Sequence, residues 1–189
     1  MAAYSFNSFS SSLLFLLPLF LSISLSTSDL ITDICSKADD QQLCSQTLRS
    51  DPRSAQADLK GLALISIDIA KSNAKQTAKQ LIPELSKGAT TYPALKERYD
   101  RCAENYRTII DDLSEARKAL KARDMDTFMA VASGAYNGPA TCDHGFFDSE
   151  EAPAEPQQLR DANNKLKGLC ATIVDIAERL GGKKMEPTN

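Results

Sequence analysis

Apolar side chains recur at steps of three and four through most of the chain after Ser50, which is the period of an amphipathic helix. The clearest run starts at Pro93. It contains Leu95, Tyr99, Cys102, Tyr106, Ile109, Leu113, Ala116 and Leu120. This seam predicts one long helix that buries a narrow face.

Two further segments flank this helix. The first should start at Asp51-Pro52, where a capping side chain is followed by proline in the first turn. Pro83 should kink or end it, because proline lacks the N–H that a helix interior needs. Its apolar seam is Ala63, Ile67, Ala70, Ala74, Ala78, Leu81 and Leu85. The other segment begins at Asp124, and its apolar positions are Phe128, Val131, Ala135 and Phe146.

Helix breakers interrupt that third segment. Gly134, Gly138 and Pro139 predict a break around residues 137–140. The connector at 148–156 is acidic and rich in proline, which predicts an exposed loop.

The last seam ends at Gly181-Gly182, a stop signal. It contains Leu159, Ala162, Leu166, Leu169, Ile173, Ile176 and Leu180. Four amphipathic helices with short connections predict an all-α, up-and-down four-helix bundle over residues 51–182. A polar tail, 183–189, follows it.

The front of the chain has a different character. Residues 1–28 contain no charged side chain, and Leu13–Leu25 is a 13-residue apolar run. A membrane span needs about 20 apolar residues, so we interpret 1–28 as a secretory signal cut near Ser26 or Ser28. An uncleaved anchor is the alternative. Secretion would bring the chain into an oxidising compartment.

Five cysteines follow the predicted signal, so four can pair and one is left over. The nearest pairing is Cys35–Cys44, and Cys102–Cys142 would then close a longer loop, leaving Cys170. Four paired cysteines allow three connectivities. A Cys35–Cys44 bond would staple a short helical hairpin over residues 29–50, which is mostly polar. Its small apolar face has almost no core, and consists of Leu30, Ile31, Ile34, Leu43 and Leu48.

Composition argues against several classes of protein. The formal net charge is −3 and no basic stripe is present, which disfavours a nucleic-acid partner. The chain has one histidine, no C-x-x-C motif and no nucleophile elbow. We therefore expect no metal, no cofactor and no catalytic site. A ligand-carrying bundle is disfavoured because the alanine-rich first seam favours close packing.

The signal, the cysteine spacing and the four-helix pattern together resemble the plant invertase/pectin methylesterase inhibitors. Eight residues separate Cys35 from Cys44, and thirty-nine separate Cys102 from Cys142. The stretches SDPRSAQADLKGL (50–62) and SIDIA (66–70) are similar to the pectin methylesterase branch. The resemblance covers roughly residues 29–180, and it implies these two disulfides with Cys170 unpaired.

The resemblance also implies a function. Such a protein is secreted to the apoplast and cell wall, has no catalytic activity, and forms a one-to-one complex over the substrate cleft of a plant pectin methylesterase. After signal cleavage it has no membrane partner. A weak homodimer of the free protein stays open. For Cys170, a buried free thiol is favoured over a dimer-forming cysteine.

The family's contacts fall on the second bundle helix after the third cysteine, and again near the fourth. The implied partner-binding positions are Glu104, Asn105, Thr108, Asp111, Thr141 and His144. Thr108 and His144 depart from the acidic side chains that the resemblance leads us to expect. A helix face with carboxylates and amides suits a cleft built for a polyacidic chain, whereas the simpler alternative is a solvated charged face. His144 is either an exposed loop residue or a pH-sensitive contact.

An inhibitor of cell-wall or vacuolar acid invertase on the same scaffold is the main alternative. In that branch, a Pro-Lys-Phe motif at the start of the third bundle helix enters the invertase active site. The corresponding place here is Met125-Asp126-Thr127-Phe128, in which only the Phe is kept. A truncated pro-region of a pectin methylesterase is a further alternative.

Overall fold

The computed structural model describes residues 30–89, 91–146 and 153–182. The predicted signal segment and the predicted polar tail lie outside these ranges. The helices are α1 (30–35), α2 (Gln41–Ser50), α3 (Leu59–Gln76), α4 (Ile82–Gly88), α5 (Pro93–Ala122), α6 (Met125–His144) and α7 (Gln157–Gly181). A 3-10 turn, Pro52–Gln56, precedes α3, and a π turn, Thr77–Leu81, joins α3 to α4.

The four long helices pack side by side as a closed bundle. Helix α5 packs on α6, α6 on α7, α7 on α3, and α3 on α5. Early residues of one helix meet late residues of its neighbour in the Cys102–Cys142 disulfide between α5 and α6, and in the hydrogen bond from Asn163 on α7 to Asp143 on α6. Helix α6 is therefore antiparallel to both α5 and α7, which fits the up-and-down bundle that the sequence predicts.

The seam predicted for α5 is confirmed along its whole length, since all eight of its side chains are buried. The helix ends at Ala122, and the next residue, Arg123, has a left-handed backbone (φ 63°). Asp124 then caps α6 by accepting a hydrogen bond from the Thr127 N–H at 3.1 Å. This two-residue connection turns the chain sharply enough for α6 to pack against α5.

The start predicted for the first bundle helix is wrong. Asp51 caps only the 3-10 turn, where its side chain accepts a hydrogen bond from the Arg53 N–H. Helix α3 begins after Asp58, whose side chain caps it by accepting a hydrogen bond from the Gly61 N–H. Near Pro83, where a kink or an end is predicted, α3 gives way to the π turn and α4 continues from Ile82 to Gly88. The wider π turn immediately before it accommodates the missing N–H and the proline ring.

The π turn also shifts which face is buried. Up to Ala74, every predicted seam position is buried. Beyond it, Thr77 and Ile82 are buried, whereas the predicted Ala78 and Leu81 are only partly covered. A turn with an extra residue rotates the helix relative to a 3.6-residue pattern, which the sequence period did not anticipate.

The predicted break at 137–140 is also wrong, because α6 runs unbroken through a buried Pro139. At Gly138 an added Cβ would lie 2.4 Å from Cγ1 of Ile109 on α5. Glycine there lets the two helices approach closely. This packing and the disulfide at Cys142 hold the segment helical against its local propensity.

The N-terminal hairpin has more core than the sequence suggests. Ile31, Ile34 and Leu48 are buried in the same apolar cluster as the bundle helices. Leu43 packs on α7, where its Cδ2 lies 2.7 Å from the position of a Cβ on Gly168. The hairpin is thus docked on the bundle and is not a separate appendage.

Both disulfides are present, Cys35–Cys44 with an S–S distance of 1.99 Å and Cys102–Cys142 with 2.03 Å. Cys170 is free and buried, as expected. Burial raises the pKa of its thiol to about 12, so the reactive thiolate is scarce. None of the helices in the described ranges is long and apolar enough to cross a membrane.

Candidate functional site

A surface groove of about 390 Å³ lies where the Cys102–Cys142 disulfide joins α5 to α6. It brings together four of the six partner-binding positions that the resemblance implies. The two cysteines and Gly145 contribute to its lining. Its other lining residues are Arg98, Arg101, Glu104, Asn105, Thr141 and His144.

The remaining two positions continue the site along α5. Thr108 and Asp111 are exposed and lie about one and two turns beyond Glu104. At 1.5 Å per residue, Asp111 is about 10 Å further along the helix axis. The hydroxyl of Thr108 donates to the Glu104 carbonyl at 3.3 Å, inside the helix. The positions therefore form a strip on α5, flanked at one end by the last turn of α6.

The charge along this strip is mixed. Glu104 and Asp111 are exposed carboxylates, as the sequence predicts. Asp112, beside them, is half-buried, and its pKa is raised by burial and by the charge of Asp111. At the start of α5, however, Arg98 and Arg101 line the groove, so that end is basic.

The two arginines are site residues that the sequence interpretation missed. Arg101 lies three positions before Glu104, and this spacing could have placed it on the same face. Arg98 is only 5% exposed, and its guanidinium carbon lies 5.7 Å from the centroid of the Phe146 ring. That cation–π contact depends on how α6 ends, which no local pattern reveals.

A buried polar network supports the groove from behind. Tyr106 on α5 donates to Oδ1 of Asn163 on α7 at 2.7 Å. The Asn163 amide group donates in turn to Asp143 at the end of α6 and to Glu155 Oε1 at 3.0 Å. One asparagine side chain therefore ties α5, α6 and the chain before α7 together next to Cys142.

Glu155 departs from the exposed connector predicted at 148–156, whereas Pro153 and Ala154 are exposed as predicted. Residues 148–152 lie outside the described ranges, but Glu155 is only 6% exposed. Burial and the neighbouring Asp143 raise its pKa to about 7, although Arg160, 3.4 Å from Oε2, opposes the shift. The Asp143–Glu155 pair is consequently most stable when one of the two carboxyl groups carries a proton.

The segment that corresponds to the invertase motif has no exposed aromatic side chain. Phe128 is fully buried (0% exposed), and Thr127 is half-buried. Asp126 is exposed and acidic. Within the described ranges, no group of three or more His, Cys, Asp or Glu side chains is arranged to hold a metal ion.

Comparison with known proteins finds similar sequences among inhibitors of pectinesterase and of fructosidase. A 45% identical relative, "Pectinesterase inhibitor" of Actinidia deliciosa, aligns over 155 residues, 82% of this chain and 81% of its own. "Cell wall / vacuolar inhibitor of fructosidase 2" of Arabidopsis thaliana is 30% identical over 178 residues, 90% of this chain and 98% of its own.

A similar fold occurs in the crystal structure of a mutant form of a pectin methylesterase inhibitor from Arabidopsis. Its TM-score is 0.67 at 24% identity, covering 84% of this chain and 98% of that one. The family model described as plant invertase/pectin methylesterase inhibitor matches residues 29–176. The chain therefore belongs to the plant invertase/pectin methylesterase inhibitor family.

Proposed function

We propose that the protein is a secreted inhibitor of plant pectin methylesterase, which binds one enzyme molecule and covers the cleft that takes pectin. The observation that carries the proposal is the groove at the Cys102–Cys142 disulfide, with Glu104, Asn105, Thr141 and His144 on its walls. The 45% identical pectinesterase inhibitor supports the choice of target.

Inhibition would follow from occupancy of the cleft and needs no reaction. The target removes methyl groups from cell-wall homogalacturonan, so its cleft is built to bind a chain of uronic acids. The exposed carboxylates of Glu104 and Asp111 would compete with the uronic acids of pectin for that cleft. A 30-residue helix pinned by a disulfide presents them with little conformational entropy to lose on binding.

The proposed location is the cell wall, reached through the apolar segment 1–28. Two disulfides in a chain of this size are typical of secreted proteins. A weak homodimer of the free protein would not use a Cys170 disulfide, because that thiol is buried. The complex with the enzyme would contain one molecule of each.

Invertase inhibition is the second candidate, favoured by the 30% identity to an inhibitor of fructosidase. The buried Phe128 argues against it, because an aromatic ring inside the core is not available to enter an active site.

The test is a titration of the mature, oxidised protein into a plant pectin methylesterase at about pH 6, where a cell-wall protein would work. An acid invertase is titrated in parallel. We expect methylesterase activity to be lost at about one equivalent while invertase is unaffected. Inhibition of invertase alone would overturn the choice of target, and inhibition of neither would overturn the proposed function.

A further inference from the structure

We propose that the groove beside the Cys102–Cys142 disulfide is a carboxylate subsite, which takes one acidic side chain of the target enzyme and in which Arg101 is the main ligand. The inference rests on the proposed function. It adds a basic contact to a surface whose implied contacts are otherwise carboxylates, amides, hydroxyls and one histidine.

The first support is the availability of Arg101. Its side chain is exposed on the groove wall, and among the described residues it forms no ion pair. Other arginines of the bundle are engaged, such as Arg117 with Asp68 and Arg179 with Asp33. A guanidinium offers a planar fork of donors that matches the two oxygens of a carboxylate.

The second support is a buried positive charge in the same wall. Arg98 is nearly covered and stands against Phe146, so its charge is less screened by water than that of a surface arginine. The disulfide and Gly145 add no charge to the lining. Arg101 and Arg98 therefore both contribute guanidinium groups to the lining of the groove.

The acidic groups nearby limit what can bind. Glu104 is the acidic residue in the groove lining, and the carboxylate of Asp143 accepts a hydrogen bond from Asn163 behind the groove. Beyond the groove, exposed Asp111 and Glu115 continue along α5. A polyuronic chain laid along α5 would be repelled by all of these exposed carboxylates, whereas a single carboxylate from a protein loop, seated at Arg101, would face only Glu104 among the lining residues. The charge pattern thus favours a side chain of the enzyme over pectin itself.

A matched pair of charge reversals tests the subsite. Arg101→Glu alters the groove, whereas Arg107→Glu alters another exposed arginine of α5 that does not line it. Both variants change the net charge equally, so any effect on long-range steering is shared. We expect Arg101→Glu to raise the inhibition constant at least tenfold and Arg107→Glu to raise it less than threefold. Arg101→Lys, which keeps the charge but loses the fork, should fall between wild type and Arg101→Glu.

The outcomes separate the two levels of inference. If wild-type protein inhibits the enzyme but the two reversals weaken it equally, the subsite is wrong and the proposed function stands. If wild-type protein does not inhibit, the proposed function itself fails. Thermal melts of each variant exclude unfolding as the cause, and Arg101→Gln provides a milder variant should the reversal disturb the fold.

A separate arm addresses the other source of carboxylates. A fully demethylated oligogalacturonate is titrated into the inhibitor alone and followed by calorimetry. We expect no saturable binding at millimolar concentration. Binding that Arg101→Glu abolishes would overturn the enzyme side chain as the occupant and assign the groove to pectin.

Discussion

Glu104 and Asp111 are the exposed carboxylates of the α5 strip, and their charge is what the proposed inhibition uses. We expect Glu104→Lys to raise the inhibition constant for pectin methylesterase about tenfold, which corresponds to about 1.4 kcal/mol. The lysine would replace a carboxylate with a cation in a cleft that favours anions. Enzyme activity against inhibitor concentration measures the change.

Glu84→Lys is the matched control, because Glu84 is exposed on α4 and lies outside the groove. It should leave the inhibition constant within about twofold of wild type, well short of the tenfold loss. Equal effects from the two variants would mean that net charge, and not the α5 strip, governs binding.

The individual residues of the site were predictable to different degrees. Steps of three and four place Glu104, Thr108 and Asp111 on one helix face from sequence alone, and the structure has them there. Arg98 and Glu155 could not be assigned in this way. Their burial depends on Phe146 and Asn163, which other elements bring to them.

At the scale of elements, seams were easier to predict than breaks. The α5 seam is buried throughout because a heptad-like pattern directly encodes one covered face. The break expected in α6 rested on local propensity, which tertiary packing overrode at Gly138. Near Pro83, where a kink or an end was expected, the helix changes to a π turn. Of the two helix starts predicted from a capping aspartate, Asp124 does cap α6, whereas Asp51 caps only a 3-10 turn.

The contact between α5 and α6 leads to a prediction for Gly138. We expect Gly138→Ala to lower the free energy of unfolding by about 1–3 kcal/mol, because the new methyl group would collide with Ile109. Gly88→Ala is the control, since nothing lies within 4 Å of a Cβ there and alanine favours the helix. Urea unfolding at one pH measures both. If Gly138→Ala were as stable as Gly88→Ala, the close approach of the two helices would be contradicted.

For the whole molecule, one buried and one half-buried carboxyl group, Glu155 and Asp175, set how stability depends on pH. Burial and Asp143 raise the pKa of Glu155 to about 7, and burial with Glu178 and Asp39 raises that of Asp175 to about 6. Each folded-state pKa lies above the ordinary value near 4. The folded protein therefore holds protons that the unfolded chain releases, and the stabilisation is complete below about pH 4 and lost as the pH rises through 6 and 7. Such a protein is best suited to a mildly acidic compartment.

Glu155→Gln tests this dependence, because glutamine resembles the protonated acid and keeps an oxygen to accept from Asn163. At about pH 8 the variant should be more stable than wild type by about 2 kcal/mol, and at about pH 4 the difference should nearly vanish. For a bundle of this size, the gain corresponds to a rise in melting temperature of about 4–8 °C. Glu84→Gln, at an exposed position, should leave the pH profile unchanged. A wild-type melting temperature that does not fall between mildly acidic and alkaline pH would contradict the raised pKa values of both Glu155 and Asp175.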